Sequence, residues 1–158
     1  MNDGALKKLL FIGYGNPGRL DDGLGPALAA RLEESPFAGM TVDSNYQLSV
    51  EDAAAVAEHE IVVFADASLD GSEPFELKEI FPRPELSHTT HVIAPEAVLA
   101  LAEEVFGRSP RAFLLSIRGY EFDEFGERLS DRAKDNLEAA RKYLVEWIKT
   151  GMNHNWPG

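Results

Sequence analysis

The sequence predicts an α/β fold: a three-layer sandwich whose mostly parallel, twisted sheet of about five strands is covered by helices on both faces. Two observations predict it. Short apolar runs bounded by glycine or polar turn residues alternate along the chain with segments of helical period. The clearest runs are apolar on both strand faces, as in buried parallel strands, where a half-exposed strand would alternate. The length of 158 residues adds a third, because it admits one core of good size without staples. A single domain over residues 1–150 is therefore expected, followed by a flexible tail over 151–158.

Each element has its own signal. Lys8–Gly13 (KLLFIG) is an apolar run ended by glycine, and reads as a first buried strand. Gly25–Glu34 reads as a helix, with Pro26 tolerated in its first turn and Leu24, Leu28 and Leu32 along one face. Met40–Tyr46 is a second strand. Ser49 is placed to cap a helix over Val50–Glu58, with Asp52 three residues on as in a capping box. Ile61–Asp66 (IVVFAD) is the clearest strand, β-branched and apolar on both faces, and is expected at the centre of the sheet. Phe75–Phe81 is more polar and suits an edge. Pro95 opens a helix to about Phe106, and Gly107 stands where a C-cap glycine belongs. Ala112–Ile117 is a further buried strand. Ser130 can cap the last helix, whose Leu137, Ala140, Leu144, Trp147 and Ile148 form one apolar stripe.

Composition narrows the function classes. The formal net charge of −12 argues against a nucleic-acid partner, because phosphate contact needs a basic footprint. Without cysteine there is no disulfide framework, cysteine nucleophile or thiolate metal site. The first apolar run is too short to span a membrane and has no cleavage-site pattern. A cytoplasmic protein with no membrane insertion is expected.

In open α/β sheets ligands bind beyond the carboxyl ends of the strands, near a switch in strand order. Polar residues collect there: GYGNPGRLDDG follows the first strand, DASLDG the third and RGYEF the last. Gly13-Tyr14-Gly15-Asn16-Pro17-Gly18 matches the dinucleotide fingerprint, with Asp43 as a candidate ribose ligand. Against this, Asp21 and Asp22 would repel a pyrophosphate at the helix start, and Pro17 removes a backbone donor. GYGNPG also resembles the opening of peptidyl-tRNA hydrolases. Those enzymes have a catalytic histidine shortly afterwards, whereas the first histidine here is His59. No GxSxG or HExxH occurs, so a serine hydrolase or zincin is poorly supported. A paired-aspartate protease would need Asp21 or Asp22 beside Asp66.

A longer resemblance joins these segments. Gly15-Asn16-Pro17-Gly18-Arg19-Leu20-Asp21-Asp22-Gly23-Leu24-Gly25 resembles the GNPxRxDDGxG signature of hydrogenase maturation proteases. The likeness continues through Ala65-Asp66-Ala67, Ser87-His88-Thr89-Thr90-His91, the helix begun by Pro95, Ser116-Ile117-Arg118-Gly119 and Phe125-Gly126-Glu127-Arg128-Leu129-Ser130. Where Leu20 stands, the family often has glycine.

The resemblance implies an endopeptidase that removes a C-terminal extension from the nickel-loaded large subunit of a nickel–iron hydrogenase. It further implies Asp22, Asp66 and His91 as metal and catalytic contacts, with Asp21 and Asn16 shaping the loop. Two carboxylates and an imidazole suit divalent nickel, zinc or cadmium, and three protein ligands leave positions open. No permanent cofactor is expected: the nickel belongs to the substrate, and zinc or cadmium can replace it in vitro.

Plainer readings stand beside these. Asp21 and Asp22 can complement a helix dipole, and Asp66 can close a turn. His91 can be an ordinary loop histidine, with His88 as a competing ligand. Arg118 either orients substrate or, as the reading preferred here, pairs with an acid, and His154 is incidental. Two rival functions remain: a non-catalytic metal-recognising assembly module of the same fold, and a dinucleotide-binding oxidoreductase.

Overall fold

The computed structural model describes residues 9–84, 93–108 and 110–151. His88, His91 and the tail beyond Gly151 lie outside them. Strand β1 (Leu9–Tyr14) is followed by a short 3-10 turn (Leu20–Gly23) and helix α1 (Leu24–Glu34). Then come β2 (Met40–Asn45), α2 (Asp52–Ala57), β3 (Ile61–Ser68) and β4 (Phe75–Ile80). The chain closes with α3 (Pro95–Phe106), β5 (Arg111–Arg118) and α4 (Asp131–Lys149).

The five strands lie in the order β2-β1-β3-β5-β4. All pairings are parallel except that of β4 with β5, so the polar strand expected at an edge is an edge strand. Its Glu79 holds Arg111 of β5 through two exposed 3.0 Å contacts. The sheet separates two apolar cores. Leu9 and Phe11 of β1 and Val63 and Ala65 of β3 pack beneath α1 and α4. Their alternate neighbours Leu10, Ile12, Val62 and Phe64 pack beneath α2 and α3. Period-two alternation therefore serves both faces, and for that reason these strands read as continuous apolar runs.

The helix ends follow their sequence signals. Pro95 is in the first turn of α3, and Gly107 closes that helix with φ 72°, the left-handed conformation glycine adopts most easily. Ser130 caps α4 by accepting from the Ala133 amide at 3.3 Å. Helix α2 departs from expectation. The Ser49 amide donates to Asp52 Oδ2 at 2.8 Å, which is one half of a capping box. The next amides, of Asp52, Ala53 and Ala54, bond three residues back, so a 3-10 type turn fills positions 50–51 and the helix starts at Asp52. Strand β3 also runs two residues beyond Asp66, because β5 pairs with it as far as Ser68 opposite Arg118. Asp66 is thus a strand residue, as expected, with the strand continuing past it.

The connection from β1 through α1 leads outward to β2, and α2 then carries the chain back past β1 to β3. Strand order consequently reverses between β1 and β3. That is the crevice in which α/β sheets bind ligands. Glycines let α1 press against this point. A Cβ on Gly13 would lie 2.1 Å from the Gly25 carbonyl oxygen, and one on Gly25 would lie 2.5 Å from that of Ala65. Among the described residues no helix is long and apolar enough to cross a membrane.

Candidate metal-contact site

The loop after β1 is held by its own polar atoms. Gly15 has φ 139°, and a Cβ there would lie 2.1 Å from the Asp22 carbonyl oxygen, so the turn requires glycine. Asn16 then organises the loop. Its side-chain Oδ1 accepts from the Gly18 amide at 2.8 Å, an Asx-type turn, while its own amide donates to Asp22 Oδ2 at 2.8 Å. One oxygen of Asp22 is thereby fixed at the mouth of the β1/β3 crevice. Leu20 takes φ 54°, a left-handed conformation that costs a leucine roughly 1–2 kcal/mol. Its amide donates to the Gly126 carbonyl at 2.9 Å and the Gly126 amide donates to the Gly18 carbonyl at 2.8 Å, which pins the strained residue.

The two adjacent aspartates face different ways. Asp21 is fully buried and accepts from the Tyr120 and Glu121 amides and from both the amide and hydroxyl of Ser130, at 2.7–3.0 Å. Burial alone would raise its carboxyl, but these donors, Ser130 foremost, outweigh it and hold the group below the usual carboxylate range. Asp21 is therefore an anchor for the loop after β5, and the carboxylate that reaches Asp66 electrostatically is Asp22. The expectation that Asp21 and Asn16 shape the loop matches this geometry.

Asp66 leaves β3 at the same edge. Burial, together with the charge of Asp22, pushes its carboxyl up to about 6, against the opposing pull of the Ala67 amide, 2.8 Å from Oδ1, and the Tyr14 phenol. Tyr14, the last residue of β1, faces Asp66 as a donor. Its own phenol is pushed upward by burial, then by the negative charge of Asp66 and, more weakly, of Glu96 at the start of α3. A carboxylate whose ionisation is opposed by burial and by a neighbouring negative charge sits in an environment that a cation would relieve. Among the described residues no group of three histidine or acidic side chains converges, and His91 lies outside them.

Tyr14 was missed as a site residue. The sequence shows only a variable position between two glycines, and nothing local indicates that it meets Asp66 of the adjacent strand. Arg118 pairs with an acid, Glu73, as its preferred reading held, and bonds more closely to backbone carbonyls. Its Nη1 donates to the Gly71 carbonyl at 2.9 Å and its Nε to that of Gly119 at 3.3 Å, while Glu73 is 4.0 Å away. Its main partners are backbone carbonyls. The glycine loop is also closed to a pyrophosphate. The amides of Gly15, Asn16, Gly18, Arg19 and Leu20 all donate within the protein, and Pro17 has none.

No protein-family model matches the sequence, and no curated protein matches it. Solved structures do. The NiFe hydrogenase maturation protease HycI from Thermococcus kodakarensis superposes with a TM-score of 0.70 at 22% identity, over 92% of this chain and 95% of that one. The hydrogenase maturating endopeptidase HybD from E. coli gives 0.70 at 18% identity, over 91% and 94%. The endopeptidase HycI from Escherichia coli gives 0.67 at 23%, over 89% and 91%. The fold is that of the hydrogenase maturation proteases. The whole maturation-protease fold is present, since each comparison spans nearly all of both chains, and its β1/β3 crevice is where Asp22 and Asp66 stand.

Proposed function

We propose that this chain is an endopeptidase that removes a C-terminal extension from the nickel-loaded large-subunit precursor of a nickel–iron hydrogenase. The observation that carries the reading is the maturation-protease fold, with Asp22 and Asp66 at the switch point of its sheet. In this reading Asp22, Asp66 and His91 contact the nickel held by the substrate, and zinc or cadmium can stand in for it. His91 is three residues before Ala94, where the described chain leads into α3, and Glu96 of that helix already acts on Tyr14. His88 is the competing imidazole.

The chemistry asked of the site is hydrolysis of one peptide bond. The oxygen of water bonds to the scissile carbonyl carbon, the C–N bond breaks, and a proton from water ends on the leaving amine. A carbonyl lying near the substrate's nickel would be polarised for this attack. Asp22 and Asp66 orient that region, and Tyr14 restrains Asp66. A cation between the two carboxylates would release the proton that Asp66 holds at low pH, so metal contact and proton release are linked. No resident cofactor enters the reading, and a cytoplasmic location belongs to it.

Incubating the purified chain with nickel-loaded and nickel-free precursor, and weighing the products by mass spectrometry, tests the proposal. Shortening of the loaded precursor alone is expected. Equal cleavage of both removes the nickel recognition, and binding without cleavage would favour a non-catalytic assembly module. Asp22→Ala, Asp66→Ala and His91→Ala are each expected to weaken cadmium or nickel binding by calorimetric titration. Unchanged affinity in all three would mean the site is misplaced.

A further inference from the structure

A small apolar pocket of about 200 Å³ opens directly beside the Asp22 loop. Pro17, Leu20, Pro26, Ala27 and Leu129 wall it, together with Gly23, which follows Asp22 in the chain. Its volume is below the roughly 300–1,000 Å³ of pockets that take cofactor-sized ligands, and suits a single side chain. The wall comes from two sources: the loop that presents Asp22, and the segment after β5 that Asp21 anchors through Ser130.

Leu20 is the informative residue. It keeps a left-handed backbone at φ 54°, where glycine would be relaxed, and is held there by the hydrogen bonds on either side of Gly126. Strain retained beside a site is a reason to look for what its side chain provides. What the leucine provides is apolar surface. Its side chain is only 4% exposed, packs with Cδ2 against Gly126, and contributes to this pocket. The exposed Glu127 and Arg128 also line it, and offer one charge of each sign to a passing main chain.

We propose that this pocket is a specificity subsite that receives one aliphatic side chain of the polypeptide substrate close to the scissile bond. The inference rests on the endopeptidase reading and deepens it. A peptide held at Asp22 and Asp66 runs past the adjoining loop, and the pocket is the apolar recess on that loop. An aliphatic residue gains by leaving water there, whereas a glycine or a charged residue does not.

The test uses nickel-loaded precursors that carry alanine, leucine or phenylalanine at positions flanking the cleavage point. With the natural chain, leucine at one position is expected to exceed alanine by about 10-fold or more in kcat/KM. Ala27→Phe fills the pocket and is expected to collapse that ratio to about one. Leu20→Gly enlarges the pocket and is expected to move the preference toward phenylalanine. A residue that merely positions Asp22 would lower all three rates together and leave their ratio unchanged. Leu129→Phe fills the recess from the other wall should Ala27→Phe fail to fold. An unaltered leucine-to-alanine ratio in a folded filled variant overturns the subsite while the endopeptidase reading stands. A natural chain that cleaves none of the precursors overturns both.

Discussion

Asp21 is charged at 0% exposure because four donors reach it from residues 120, 121 and 130. Asp21→Asn keeps the shape but turns an amide N–H₂ toward some of those donors. Roughly 2–3 kcal/mol of stability should be lost in denaturant titrations at neutral pH. The folded group ionises below its ordinary value of 3.8. Its contribution is therefore present above about pH 4 and is lost as pH falls through the folded value, so the variant should show a flatter acid limb. Asp66 has the opposite sign. Its folded value is pushed up to about 6, so the unfolded chain ionises first as pH rises. Stability should fall between about pH 4 and pH 6 in metal-free buffer, and Asp66→Asn should remove that fall, worth on the order of 2 kcal/mol. Denaturation midpoints measured across that window for both chains decide the matter. These roles were only partly legible in the sequence. The DD pair after a glycine loop marked the place, and Asn16 is a turn residue by chemistry. Ser130 read only as a helix cap, because its bond to Asp21 spans 109 positions and leaves no local pattern.

Among the elements, β1 and α1 meet backbone to backbone at Gly13 and Gly25. Gly25→Ala would put a methyl 2.5 Å from the Ala65 carbonyl oxygen and 2.6 Å from that of Tyr14. Backbone atoms cannot yield there as a flexible side chain could. The substitution should cost about 3 kcal/mol or more, visible as a lower Tm, and should weaken metal binding because α1 carries the Asp22 turn at its start. A variant with natural Tm would show that the contact is softer than the geometry implies. Periodicity was enough to locate every strand and helix named from the sequence, since each buried face repeats along its own element. It gave neither the strand order nor the antiparallel direction of β4, which depend on partners far away in the chain. The early end assigned to β3 has the same origin: the extra residues are strand only because β5 lies alongside.

For the molecule as a whole, the sheet is shared by two cores, one on each of its faces. Each strand contributes alternate residues to both, so loss of either helical layer exposes the apolar face it covered. Unfolding in urea is accordingly expected to be one transition, with coincident curves from far-ultraviolet circular dichroism and from Trp147 fluorescence. Trp147, on the buried face of α4, packs edge-on against Phe113 at 5.0 Å, and Trp156→Phe would leave it as the one reporter. Separate midpoints would mean that the α2/α3 layer melts by itself.

The Asp21 anchor also bears on the order in which the protein is made. A chain growing from its amino end has β1, the glycine loop and β3 complete some 60 residues before Ser130 is added. Until then Asp21 has none of its four donors, and the turn that presents Asp22 has no hold on the far side of the sheet. The Asp21 anchor is thus completed late, by residues some 60 positions beyond the end of β3. A half-synthesised chain holds Asp22 and Asp66 but none of the donors that anchor the loop bearing Asp22 to the segment after β5.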